Sequence, residues 1–229
     1  FVGGSTVSMA TLHNQDQVAA KDVRPGDTVV VRKAGDVIPE VVGPVLSLRP
    51  LGSVPWVFPR LCPCPLKTEL VRAEGEADTR CVEPGCPFQR DQRIIYFASR
   101  GAMDIEGLGE KQAARFLDEG LISDVADIYG LTVQDLMGLE GFGEISANNL
   151  VGEIDNSREV PFARVLFAIG LPGVGSVTAE ALADQFGSIE DLQEADADQI
   201  ELTEGVGPIM ANQIVESLGD EKTAQIIGR

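Results

Sequence analysis

A Gly-apolar-Gly triplet recurs four times in the second half of this 229-residue chain, and each copy constrains where a helix can begin. The copies are Gly107-Leu108-Gly109, Gly141-Phe142-Gly143, Gly173-Val174-Gly175 and Gly205-Val206-Gly207. Their first glycines lie 34, 32 and 32 residues apart, and Ala113, Ala147, Ala179 and Ala211 each follow the second glycine by four residues. A period of this size marks a supersecondary unit repeated along the chain. Glycine permits positive φ and leaves nothing standing over the backbone, so each triplet reads as a tight hairpin. A helix is predicted to start after each one, near Glu110, Glu144, Ser176 and Pro208. The small alanine lets that helix pack closely, and Phe116, Leu150, Leu182 and Ile214 continue its buried stripe.

The amides at such a helix start are unpaired and face the positive end of the helix dipole, which suits an anion. The pattern resembles the helix-hairpin-helix motif, which holds a nucleic-acid phosphate through backbone N–H groups without reading sequence. The expected DNA contacts are therefore Gly107, Gly109, Gly141, Gly143, Gly173, Gly175, Gly205 and Gly207. The motif's usual basic position holds Lys111 in the first copy, but Ile145, Val177 and Ile209 in the others. Unequal copies are expected, some of them purely structural. Plain helical hairpins whose glycines only turn the chain would have the same fold.

Charge sharpens the question. Residues 101–229 carry six basic and twenty-five acidic groups, whereas residues 1–60 carry six and five. Nonspecific affinity for nucleic acid rests on basic contacts and counterion release, so a binding face here has to be local and built from amides. Most of the carboxylates read as a solvated helix surface. No apolar run of eighteen residues and no charged-then-apolar leader occurs, which points to a soluble, cytoplasmic chain with no membrane partner. Phe1 in place of Met suggests a piece of something longer.

The first half reads differently. Thr28-Val29-Val30-Val31 follows a Pro25-Gly26-Asp27 turn, Lys33-Ala34-Gly35-Asp36 forms another, and Glu40 to Leu46 continue in β-rich fashion. Short β-runs between glycine turns suit a small barrel such as the OB-fold, over residues 1–50, with Arg32 and Lys33 as candidate phosphate contacts. Residues 51–61 read as a linker. Then come Cys62-x-Cys64 and Cys81-x4-Cys86, two close pairs joined by a loop. That is the layout of a structural four-cysteine zinc site, here placed in a module over 62–92; two disulfides are the alternative, disfavoured in a reducing cytosol. The single residue inside the first pair implies a tighter chelate loop than the usual two. Helices and the four hairpins fill 93–229. The fold class is thus multidomain: a small β-barrel, a short zinc-ribbon-like module and an all-α helix-hairpin-helix domain with four repeats.

This order of parts resembles the C-terminal part of bacterial NAD-dependent DNA ligase. Thr6-Val7-Ser8-Met9-Ala10-Thr11-Leu12-His13-Asn14 is similar to that family's OB-fold segment, although Met9 stands where the family usually has a basic residue. Lys21 to Asp27, Arg32 to Pro39, Phe58-Pro59 before Cys62-Pro63, Arg80-Cys81, Cys86-Pro87, and Ala98-Ser99-Arg100 before Met103 to Gly109 extend the likeness. The resemblance implies an enzyme that uses NAD to adenylate its own lysine and passes AMP to a nicked 5′-phosphate. The neighbouring 3′-hydroxyl then attacks, with magnesium assisting. It further implies a nucleotidyltransferase domain before Phe1 and a BRCT domain after Arg229. No Lys-x-Asp-Gly occurs here, so no catalytic residue is assigned and the chain alone is expected not to ligate. Its expected role is to clamp nicked duplex DNA as a monomer, with NAD and magnesium sites lying elsewhere. A non-enzymatic binder of DNA structures with tandem hairpins is the alternative. His13, Lys21, Arg24 and Arg115 are minor candidates for DNA contact, together with Arg100.

Overall fold

The computed structural model describes residues 6–33, 38–83 and 85–229, and the chain divides into two compact units, Phe1–Cys86 and Pro87–Arg229. The first unit begins with a short helix, α1 (Gln15–Lys21), that the strand-only reading of this region did not foresee. Asn14 caps it by accepting from the Gln17 amide, and Asp22 ends it in the left-handed conformation at φ 48°. Only Val18 is buried along it, too little for a periodic signal. Strands β1 (Val29–Arg32) and β2 (Glu40–Pro44) pair antiparallel, from Val29 opposite Pro44 to Arg32 opposite Glu40, with a bulge between Val30 and Val31. Thr11 forms a single parallel bridge to Glu40. Among the described residues this sheet has two strands and does not close into the expected barrel. The turn expected at Lys33 to Asp36 falls largely on residues 34–37, outside the described residues.

An arginine–carboxylate network holds the unit together. Arg49 donates to Asp22 at 2.7 Å and to Asp27 at 2.9 Å, while Arg24 donates to Asp22 at 2.8 Å and to the Ser53 carbonyl. These guanidinium groups, Arg24 foremost, hold the Asp22 carboxyl down at about 2. Beyond it, strands β3 (Leu70–Val71) and β4 (Arg80–Cys81) form a small antiparallel ribbon, Leu70 opposite Cys81.

The second unit is helical, and its helices begin at the four positions that the triplets dictate. In chain order they are α2 (Pro87–Ala98), α3 (Glu110–Asp118), α4 (Val133–Met137), α5 (Glu144–Asn156), α6 (Phe162–Ile169), α7 (Ser176–Phe186), α8 (Ile189–Glu194), α9 (Ala197–Glu201), α10 (Pro208–Gly219) and α11 (Glu221–Gly228). Each hairpin joins two helices that pack on each other: α2 on α3, α4 on α5, α6 on α7 and α9 on α10. Ala113, Ala147 and Ala179 are fully buried and Ala211 nearly so, as close packing at the helix start requires.

Two apolar cores result. One gathers Phe97, Ala113, Phe116, Leu136, Ala147 and Leu150 around the first two hairpins. The other gathers Leu166, Ala179, Leu182, Ile200, Ala211 and Ile214 around the last two. Helix α11 touches both, Ile226 lying on the first core and Ile227 on the second. Arg164 on α6 also reaches back to the carbonyls of Arg100 and Ala102, both at 2.7 Å.

One hairpin position breaks the apolar rule. The fourth hairpin opens on Thr203 where the others open on Ile105, Leu139 and Leu171. Thr203 is 3% exposed, and its hydroxyl has no hydrogen-bond partner among the described residues. A buried unsatisfied hydroxyl costs about 1–3 kcal/mol. Thr203→Val is therefore expected to raise the stability of the helical unit by about 1 kcal/mol, read as a higher urea midpoint with unchanged slope.

Candidate nucleic-acid interface and metal centre

The four hairpins share one backbone geometry. In each, the amide of the middle apolar residue returns to the carbonyl three residues back: Leu108 to Ile105, Phe142 to Leu139, Val174 to Leu171, and Val206 to Thr203, at 3.1–3.2 Å. The third residue of each turn is the first glycine, at φ 90°, 82°, 76° and 82° for Gly107, Gly141, Gly173 and Gly205. A turn with positive φ at that position requires glycine, so the fold itself explains these four residues.

The second glycines have no such explanation. Gly109, Gly143, Gly175 and Gly207 are helix N-caps with extended backbones at φ −83°, −107°, −83° and −102°, which any residue can adopt. A Cβ added at any of them would meet nothing within 4 Å. Four other helices of this unit are capped conventionally, with Thr132, Ser188, Asp196 and Asp220 each accepting from a backbone amide of the first turn. Such caps are preferred because they satisfy orphan donors. At the hairpins the chain forgoes them, and the amides of Glu110, Lys111, Ser176, Val177 and Ile209 bond to no acceptor among the described residues. The copies are not equal. Ser146 Oγ accepts from the Gly143 amide at 3.0 Å, and Pro208 has no N–H to offer.

Hairpins one and two flank a groove of about 640 Å³. Gly107, Gly141, Gln112, Ser146, Asn148 and Asn149 line it. The side-chain amides here escaped the sequence reading. A recurring offset pointed to one of them: Asn148 and Asn212 both follow the second glycine by five, and each donates to the carbonyl of its helix's first residue at 2.7 Å.

The basic candidates divide cleanly. Lys21 donates to the Val41 carbonyl at 2.7 Å, Arg24 is held by Asp22, and Arg115 by the Glu140 carbonyl. Arg32 pairs with Glu40, which also meets His13 Nε2 at 3.0 Å; His13 first and Arg32 second hold the Glu40 carboxyl at about 2. Lys33 also has a partner within the chain. Lys111 and Arg100, in contrast, make no side-chain hydrogen bond or ion pair to another described residue. Arg100 lines a cleft of about 630 Å³ together with Gly107, Gly109, Asp104 and Glu106, so these two of the candidate cations belong to the first hairpin.

The cysteines converge. The sulfurs of Cys62, Cys64 and Cys86 all lie within 4.8 Å of one another, Cys62 to Cys86 at 3.9 Å, and all three residues are buried. Cys81 interacts with Cys62 and Cys86, and its sulfur meets Thr68 Oγ1 at 3.5 Å. No disulfide joins any of the four. Short spacing in the first pair does not strip the sulfurs of backbone donors. The Cys64 amide lies against the Cys62 sulfur, the Leu66 and Lys67 amides against Cys64, and the Glu83 amide against Cys81. Even with that amide, burial and three neighbouring sulfurs push the Cys62 thiol up to about 12. The Thr68 hydroxyl and the Glu83 amide draw Cys81 down. Crowded sulfurs, backbone donors and burial fit a soft divalent metal, whose charge relieves the repulsion among thiolates.

Comparison with known proteins agrees with this geometry. Residues 1–53 match the NAD-dependent DNA ligase OB-fold domain, residues 100–156 a SAM-like helix-hairpin-helix tandem, and residues 164–227 the helix-hairpin-helix motif. Along its whole length the chain is similar to part of the DNA ligases. It is 46% identical to a DNA ligase of Symbiobacterium thermophilum and 48% identical to one of Rubrobacter xylanophilus, in each case over its full length. A DNA ligase 2 of Deinococcus deserti is 45% identical, again along the full chain. The chain spans 33–34% of the length of these ligases. The two hairpin matches coincide with the two apolar cores, each core serving one pair of hairpins. Among the described residues no helix is long and apolar enough to cross a membrane.

Proposed function

We propose that this chain is the part of an NAD-dependent DNA ligase that grips nicked duplex DNA, using four helix-hairpin-helix repeats. The carrying observation is the bare second glycine. Folding does not require it, a side-chain cap there would serve the helix better, and the amides it leaves open suit a phosphate oxygen. Gly109 with Lys111 and Arg100 gives the first hairpin basic side chains to set beside its amides. Hairpins two to four rely on amides alone, the second on fewer because Ser146 occupies one. The OB-fold region contributes a second surface, but Arg32 reaches a phosphate only by leaving Glu40.

Nick sealing, the use of NAD and magnesium, and passage of AMP to the 5′-phosphate belong in this proposal to the whole protein, with those sites outside this chain. Alone, the chain binds as a monomer without ligating. One zinc ion on Cys62, Cys64, Cys81 and Cys86 holds the cysteine module together, its role purely structural. A cytoplasmic setting keeps those thiols reduced.

Fluorescence anisotropy with nicked duplex, intact duplex and single strand tests the DNA reading. Nicked and intact duplex are expected to bind more tightly than single strand. Affinity weaker than about 100 µM for every probe, no better than the weakest nonspecific contact, would end it.

A further inference from the structure

The position after the first helical residue of each hairpin helix carries a repeated and unexplained choice. Ile145 is 79% exposed, and Val177 and Ile209 are each 77% exposed, whereas the alanines two residues later are buried. Isolated apolar side chains on a surface need no account. These three are not scattered. They occupy one register on three different hairpins, at the helix start just past the second glycine, and the first hairpin has Lys111 in that register.

The choice gains nothing for folding. β-Branched residues are weaker helix formers than the lysine seen in the first copy. No core neighbour is available to reward them at such exposure. A lysine there would also offset part of the acidity of residues 101–229, which hold twenty-five carboxylates against six cations. The chemistry that rewards a bare apolar tip beside a phosphate-binding amide is the next group along the strand. A deoxyribose presents C–H faces directly adjoining each phosphate.

We propose that Ile145, Val177 and Ile209 are DNA contacts that pack on deoxyribose faces, so that hairpins two to four grip the backbone by amide and apolar contact, while hairpin one grips it by charge through Lys111 and Arg100. This rests on the hairpin reading above and adds to it. An acidic unit gains little from counterion release, and burying an aliphatic side chain against sugar is insensitive to salt.

The test measures nicked-duplex affinity of the 229-residue chain across a salt series. The triple substitution Ile145→Ser, Val177→Ser, Ile209→Ser is expected to weaken binding by about tenfold or more at every salt concentration. The slope of log affinity against log salt should stay where it was. In Lys111→Ser with Arg100→Ser the slope should instead flatten by about 0.9 per lost phosphate contact. The triple leucine version, Ile145→Leu, Val177→Leu, Ile209→Leu, should retain affinity, which separates apolar contact from a change in folding.

Unchanged affinity in the serine triple overturns the inference and leaves the hairpin reading intact, provided that Gly175→Asp still weakens binding by about tenfold or more. A flattened slope in the serine triple, or equal losses in serine and leucine triples, overturns it as well. If the unaltered chain fails to bind, the hairpin reading and this inference fall together.

Discussion

Gly175→Asp is expected to leave the helical unit as stable as before, or slightly more so, while weakening nicked-duplex binding by about tenfold or more. The two halves of that result come from the same atoms. Gly175 caps α7 with an extended backbone and open space above it, so aspartate enters without strain. Its carboxylate would accept from the first-turn amides and face the positive end of the helix dipole, worth a few tenths of a kcal/mol over glycine. Those bonds occupy the donors that a phosphate needs and place a like charge beside it. Charge-assisted hydrogen bonds are worth about 1.5–3 kcal/mol each, so losing one costs tenfold or more in affinity. A thermal melt and an anisotropy titration on the same preparation decide the matter. A variant that melts higher and binds as well would show that the hairpins are turns and nothing more. Gly173→Asp makes the useful contrast: at φ 76° and with Met210 only 3.2 Å from an added Cβ, it should lose stability first.

Stripping the metal should have the larger structural effect, confined to the unit Phe1–Cys86. Elemental analysis is expected to return about one zinc per chain. Among the described residues between Leu61 and Cys86, the secondary structure is two two-residue strands and a single bridge, and the main apolar cluster is the cysteines with Leu70. So small a module has little core of its own, while zinc contributes about 10–16 kcal/mol of apparent binding free energy in comparable peptides. Cys64→Ser, at a fully buried position, should therefore unfold the module in the way a strong chelator does. Far-UV circular dichroism should keep nearly all of its helical signal, because among the described residues ten of the eleven α-helices lie in the other unit. Trp56, which lines a cavity with Val18 and Val23 in the first unit, is the chain's one tryptophan and reports whether the damage spreads. Metal-free protein with unchanged proteolytic resistance across Leu61–Cys86 would remove zinc from the account.

The helical unit was legible because its signals are local and repeated. Glycine at positive φ, an extended N-cap and a buried alanine are each dictated within ten residues, so all four helix starts could be placed to the residue. The first unit was less legible for the opposite reason. Helix α1 is seven residues long and buries only Val18, and its definition comes from the Asn14 cap and the distant Arg49–Asp22 bond. Arg32 as a phosphate contact was plausible from its place at a strand end. Its engagement with Glu40, eight residues on, depends on strand pairing that composition does not encode. The side-chain amides lining the groove between hairpins one and two were likewise hidden, since their relevance arises only once two turns far apart in sequence stand side by side.

Helix α11 rests on both cores with adjacent residues, Ile226 and Ile227, and Arg164 fastens α6 to the segment that precedes the first hairpin. Four separate turns are thereby mounted on a single rigid frame. In the proposed role, a grasped strand would meet a ruler already cut to length, and the ordering entropy that a floppy array would forfeit at each encounter would be settled when the protein folds.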